Sequence, residues 1–237
     1  MASGSPYPFD HQLAVAHLTR ADEKLARLIE RAGAFHLQLD ATASPYEALV
    51  EAIVYQSITG KAAATIFGRV KALSPSSACP TPEEMLRFRK PALRKAGLSG
   101  AKIAAMKDLA RKTMEGIVPS LESARAMSDE ELVERLIAVR GVGAWTVEMF
   151  LIFRLGRPDV LPIHDYGVQK GFALAYGKRY IPAPRELAAF GERWRPYRTV
   201  ASWYLWRAVA LAGKDARKIT KKRPARRKRI GRPSKKR

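Results

Sequence analysis

Gly141 and Gly143 stand two apart in Arg140-Gly-Val-Gly-Ala-Trp145-Thr146, and Asp165 follows Gly141 by 24 residues in Leu161-Pro-Ile-His164-Asp165-Tyr166-Gly167. Glycines in a tight turn supply positive φ or let another group approach the backbone closely. Where such a turn opens a helix, its orphan N–H groups form an anion site, well suited to a phosphate. A proline-containing loop then delivers one carboxylate to the start of a further helix. Each half also has a plain structural reading. Gly-x-Gly is common punctuation between helices, and Asp165 fits an ordinary helix N-cap.

The elements that must position these groups read as helices almost throughout. Leu136–Arg140 and Ala144–Phe150 flank the glycines, giving a helix-hairpin-helix over about 133–150. Asp22-Glu-Lys opens an amphipathic stretch ending near Gly33. Ser44-Pro45-Tyr46-Glu47 places an N-cap, a proline at N1 and a glutamate at N3; Thr81-Pro82-Glu83-Glu84 repeats that logic, and Ser128-x-x-Glu131 reads as another capping box. Ala48-Leu49, Ala52-Ile53 and Ile66-Phe67-Val70 keep helical apolar spacing. Further helices are expected near 99–115, 129–138, 144–155, 165–176, 185–193 and 197–212. Ala34-Phe-His-Leu-Gln-Leu39 is the best strand candidate. The fold class expected is all-α, a multi-helix body.

Composition narrows what such a body serves. Formal net charge is +21 over 237 residues. Residues 214–237 hold fourteen Lys/Arg against one acid, a net +13, so 1–213 still carries +8. A polyanion is the expected partner, and nucleic acid is the commonest. Cys79 is the only cysteine, which excludes an intramolecular disulfide and a four-cysteine iron–sulfur cluster and fits a reducing compartment. Neither a signal peptide nor an apolar run of membrane-spanning length is indicated.

Taken together, Arg140-Gly-Val-Gly-Ala-Trp-Thr-Val-Glu-Met, Gly156-Arg-Pro-Asp-Val-Leu-Pro and Asp165-Tyr-Gly resemble the helix-hairpin-helix-GPD superfamily of DNA glycosylases, most of all its 3-methyladenine DNA glycosylase II branch. The likeness runs from about Ser44 to Gly213. It implies a two-lobed helical fold with a DNA cleft between the lobes, without the additional N-terminal β-rich domain of larger members. Superfamily lyases carry a lysine two residues after the second hairpin glycine, where its amine forms a Schiff base. Trp145 stands there, so a monofunctional, water-using enzyme is implied. The branch often has a second acid before the catalytic aspartate; here the residue is His164, read as structural or DNA-facing.

The resemblance also distributes roles, beginning with a nucleotide flipped out of duplex DNA. Gly141, Gly143 and the Thr146 hydroxyl would hold backbone phosphate. Hairpin carbonyls in this family also hold a monovalent cation in some cases; no other cofactor is expected. Tyr55-Gln56-Ser57-Ile58-Thr59 resembles the family's Gln-Gln-x-Ser segment, which fills the gap left by the base. Ser57 replaces the second glutamine and is a poor plug, leaving Gln56, Ile58 or Thr59 for that job; a polar break between helices is the plainer reading. Trp145, Tyr166, Trp203 and Trp206 are candidates to grip the base, and Trp206 matches the family tryptophan beside the catalytic aspartate. Trp203 and Trp206, at i and i+3, also fit core packing. A cationic alkylated purine suits an electron-rich pocket and leaves without a general acid. Asp165 would stabilise the oxocarbenium-like sugar and orient water.

The domain organisation expected is a glycosylase body over 1–213 and a disordered polybasic tail over 214–237 that binds phosphate. Within it, Lys228-Arg229-Ile-Gly-Arg232-Pro resembles an AT-hook, and a generic phosphate tether fits equally well. The function implied is removal of 3-methyladenine and 7-methylguanine from double-stranded DNA by a monomer, in the bacterial cytoplasm at the nucleoid or in a eukaryotic nucleus. Two alternatives remain: a glycosylase for another damaged or deaminated base, and a non-catalytic helix-hairpin-helix DNA-binding protein.

Overall fold

The computed structural model describes residues 6–41, 44–76 and 78–213. Among these there are thirteen α-helices and no strand. The expected tail, with Arg229 and Arg232, lies outside the described residues. No helix among them is long and apolar enough to cross a membrane.

One group of helices comes from the two ends of the described chain. Helices α1 (His11–Ala21) and α2 (Glu23–Ala32) pack on each other and on the last helix, α13 (Arg198–Ala212). Between them in sequence run α3 (Pro45–Tyr55), α4 (Gly60–Lys71), α5 (Pro82–Arg87), α6 (Lys90–Lys95) and α7 (Gly100–Met114), gathered around α7. Helices α8 (Leu121–Ala126), α9 (Asp129–Ile137) and α10 (Ala144–Phe153) follow; α11 (Tyr166–Ala175) and α12 (Pro184–Gly191) rejoin the first group. α10 packs against both α9 and α3. Its sequence is apolar nearly all round, and Val147, Phe150, Leu151 and Ile152 are buried, as expected of a helix packed on two neighbours. By contrast α2 buries Leu25 and Leu28 and turns its charged residues outward.

The caps behave largely as their sequences require. Ser44 Oγ accepts from Glu47 N at 3.1 Å. Thr81 and Glu84 form a reciprocal box, Oγ1 accepting from Glu84 N and Oε2 from Thr81 N. Ser128 caps Glu131 N, but the Glu131 carboxylate turns to Arg135 instead of back to the cap, so only half of the expected box forms. Residues 34–39 are not a strand. They run without a partner strand while Phe35 and Leu37 are buried and Ala34, His36 and Gln38 are exposed. The alternation is real, but it docks an irregular segment on helices.

α11 and α13 make the tightest crossing. A Cβ on Gly171 would meet Leu205 O at 1.9 Å, so backbone contacts backbone there and no larger residue fits. That crossing, together with the loop between α10 and α11, fixes the start of α11. In the loop Thr199 Oγ1 donates to Arg157 O at 2.6 Å and accepts from Val160 N at 2.9 Å. Arg157 Nη2 reaches the carbonyls of Ala124, Arg125 and Met127, and Arg198 and Arg195 both pair with Asp159. The segment that leads to Asp165 is therefore tied to α8 and α13.

Candidate active site

The hairpin between α9 and α10 is one turn with two unlike glycines. Gly141 has φ +78°, the left-handed region that costs a residue with a side chain about 1–2 kcal/mol. Gly143 is extended (φ −106°) and is the N-cap of α10; no side chain caps it, and a Cβ there would meet open space. The first amides of α10 thus face outward uncapped, the geometry of an anion site. Helix α7 clasps the turn from behind: Asp108 Oδ2 accepts from Arg140 N at 2.8 Å, and Lys112 Nζ donates to Ala138 O. Burial pushes the Asp108 carboxyl up, but the Arg140 amide and Lys112 outweigh it and hold the group below its ordinary value.

Asp165 is the N-cap of α11 and something more. Its Oδ1 accepts from Val168 N at 2.8 Å and from Trp206 Nε1 at 2.8 Å; its Oδ2 accepts from Trp145 Nε1 at 2.9 Å. Three donors from three helices fix the carboxylate's plane. Gly167 makes room for one of them, because a Cβ there would lie 2.8 Å from Trp206 Cδ1 and 3.0 Å from Asp165 Oδ1.

A cleft of about 460 Å³ opens beside Trp145, between α3 and α10, with Tyr55, Ala52, Met149, Phe150 and Phe153 among its walls. Asp165 is not a wall of it; Trp145 stands between them. Exposed Tyr166, next in sequence to Asp165, lines a second cleft with Tyr180 and Pro182.

The residues expected to form a site fall into three groups. Trp145, Trp206 and Asp165 are joined directly; Trp206 also stacks on Phe153 in the cleft wall, centroids 5.7 Å apart. Thr146 is nearly buried and faces the cleft, not the outer side of the hairpin. Gln56 and Ser57 are at the cleft mouth, with exposed Ile58 and Thr59 beside them. Gln56 Nε2 donates to Gly141 O at 3.0 Å, tying this loop to the hairpin, and Ser57 holds φ +58° at its tip. Trp203 lies elsewhere: its ring packs edge-on against Phe35 at 5.0 Å and Tyr204 at 4.9 Å, in an aromatic cluster with the N-terminal segment. His164 is exposed.

Three residues near the site were not anticipated. Glu148, one turn after Trp145, is largely buried with Oε2 unpartnered; burial first, then the charge of Asp165, raise its carboxyl to about 7. A lone glutamate within an apolar helix was the signal for it. Glu51 and Arg154 pair at 2.6 Å at the cleft's other end. Nothing in a sequence separated by 103 residues announces that pair.

Comparison with known proteins agrees with this geometry. The profile of the family described as HhH-GPD superfamily base excision DNA repair protein matches residues 50–196. DNA-3-methyladenine glycosylase 1 of Schizosaccharomyces pombe is 38% identical over 200 residues, covering 84% of this chain and 88% of that one. A solved S. pombe 3-methyladenine DNA glycosylase in complex with abasic DNA superposes with a TM-score of 0.75, covering 84% of this chain and 97% of that one. A DNA-3-methyladenine glycosidase from Bacillus halodurans, 33% identical, gives 0.78 over 92% and 96%. This chain belongs to the HhH-GPD superfamily of base-excision DNA repair proteins.

Proposed function

We propose that this DNA glycosylase hydrolyses the N-glycosidic bond of alkylated purines, 3-methyladenine and 7-methylguanine, flipped from duplex DNA, and leaves an abasic site. The observation that carries the reading is the Asp165 carboxylate held by Trp145, Trp206 and the Val168 amide at the edge of an aromatic cleft. The names of the S. pombe and B. halodurans relatives support the substrate class.

Alkylation at N3 or N7 makes the purine a cation and a good leaving group. As the C1′–N bond breaks, its electron pair stays on the base and positive charge develops on the sugar. Asp165 stabilises that charge, and its fixed orientation removes the cost of reorganising a dipole during the reaction. Water adds to C1′ from the face on which the carboxylate lies and gives up a proton to Asp165. Tyr55, Trp145 and Phe153 offer aromatic faces to the cationic base, which attracts it. The uncapped start of α10 holds the phosphate, and the loop 56–59 faces the gap left in the duplex.

With Trp145 in place of an amine, no Schiff base forms and the abasic strand stays intact. Hairpin carbonyls would hold the monovalent cation that the resemblance allows, where it would add positive charge for a phosphate; the bond-breaking step needs none. Work on DNA places the protein at the nucleoid, or in the nucleus of a eukaryote. The test is chromatographic detection of free 3-methyladenine and 7-methylguanine released from methylated duplex DNA. Release of both supports the reading; release of neither overturns it.

A further inference from the structure

The cleft has two unlike ends. Helices α3 and α10 run antiparallel along it, joined at the mouth by Gln56 and Gly141 (3.0 Å) and at the far end by Glu51 and Arg154 (2.6 Å). Along α3 the two anchors, Glu51 and Gln56, stand five residues apart, about 7.5 Å of helix rise. Between them the walls are apolar. At the far end Asp40 N donates to Phe153 O at 2.9 Å, closing the cleft, and the lining becomes charged. Arg154 is held there on three sides: Nη1 donates to Ala41 O at 2.8 Å, Nη2 bonds Glu51 Oε2, and Nε lies 3.9 Å from Asp40 Oδ2.

Two carboxylates against one guanidinium leave this end acidic, in a chain whose net charge is +21. Packing does not ask for such a floor, since a partly buried ion pair gains little over an apolar filling. Recognition does. A purine entering with its sugar at the mouth, beside Asp165, turns its six-membered ring toward the floor. In 7-methylguanine that edge carries N1–H and the exocyclic amine; in 3-methyladenine it carries the exocyclic amine. Both are donors on a cationic ring.

We propose that Glu51, oriented by Arg154, reads the flipped base by accepting hydrogen bonds from the N–H groups on that edge. The proposal rests on the reading that alkylated purines are the substrates. 7-Methylguanine offers two adjacent donors and can be held by both carboxylate oxygens, with Arg154 beside O6. 3-Methyladenine offers one donor group. Glu51 is therefore a specificity residue that favours cationic purines in general and 7-methylguanine the more strongly.

The experiment is single-turnover release of each base by wild type, Glu51→Gln and Glu51→Asp, with affinity for abasic-site DNA and melting temperature measured beside it. A hydrogen bond to a charged group lost from a partly buried site corresponds to about 10- to 100-fold. The expected result is slower release in that range for 7-methylguanine in Glu51→Gln, a smaller loss for 3-methyladenine, an intermediate loss in Glu51→Asp, and abasic-DNA affinity within about twofold. Unchanged release, or equal loss on both bases together with lost abasic-DNA binding, would show Glu51 to be a structural pin and overturn the proposal. Absence of release by wild type would instead strike the substrate reading itself.

Discussion

Trp145 Nε1 donates to Asp165 Oδ2 at 2.9 Å, so the residue at the position where a lyase presents its amine is bonded to the carboxylate itself. This single contact joins the hairpin to the loop 161–165. It gives a tryptophan that is 47% exposed a fixed partner for its indole N–H.

That contact predicts the outcome of Trp145→Phe. The ring remains and the donor is lost, leaving Oδ2 free to turn, and base release should slow by about tenfold, the worth of one hydrogen bond to a charged acceptor. Borohydride added during turnover should trap no protein–DNA adduct with wild type or variant. A trapped adduct would mean a Schiff base and contradict the monofunctional chemistry.

Gly167→Ala probes the other donor. The added Cβ would stand 2.8 Å from Trp206, which must shift and draw its indole from Asp165 Oδ1. Overpacking of this kind costs about 1–3 kcal/mol. Single-turnover release should fall about 100-fold with abasic-DNA affinity nearly kept; an unchanged rate would show that Trp206 does not hold the carboxylate.

Glu148 gives a pH dependence with a definite sign. Its carboxyl is raised to about 7 from an ordinary 4.5, first by burial and then by Asp165. Between those values the folded chain keeps a proton that the unfolded chain has released, so this group's contribution falls as pH rises to about 7 and is flat above. Glu148→Gln, a neutral isostere, should therefore melt several degrees above wild type at pH 8 and level with it at pH 4, below both values. The same difference at both values would contradict the assignment.

Local signals carried much of this structure. Ser44-Pro45, Thr81…Glu84 and the two glycines act within a few residues of themselves, so their sequence sufficed to place helix starts and the hairpin. Asp165 could be found because the residue that caps α11 also accepts from both tryptophans. Residues 34–39 show the limit: alternating burial looks like a strand until a partner strand is required, and helices supply the surface instead. Trp203 and Trp206 show another. One turn apart on α13, they part company because Phe35 of a distant segment meets the first and Asp165 the second. Glu51 and Arg154 meet only through the antiparallel packing of α3 on α10, which no local pattern encodes.

In the proposed function Asp165 carries the chemistry and not merely the helix start. Asparagine keeps an N-capping oxygen and nearly the same shape but removes the charge. The measurement is single-turnover release of 7-methylguanine by wild type and Asp165→Asn at saturating enzyme, with abasic-DNA affinity as the control. A loss of at least about 100-fold is expected, the scale of an electrostatic stabiliser of a transition state, with DNA affinity retained. Equal rates in the two proteins would contradict it.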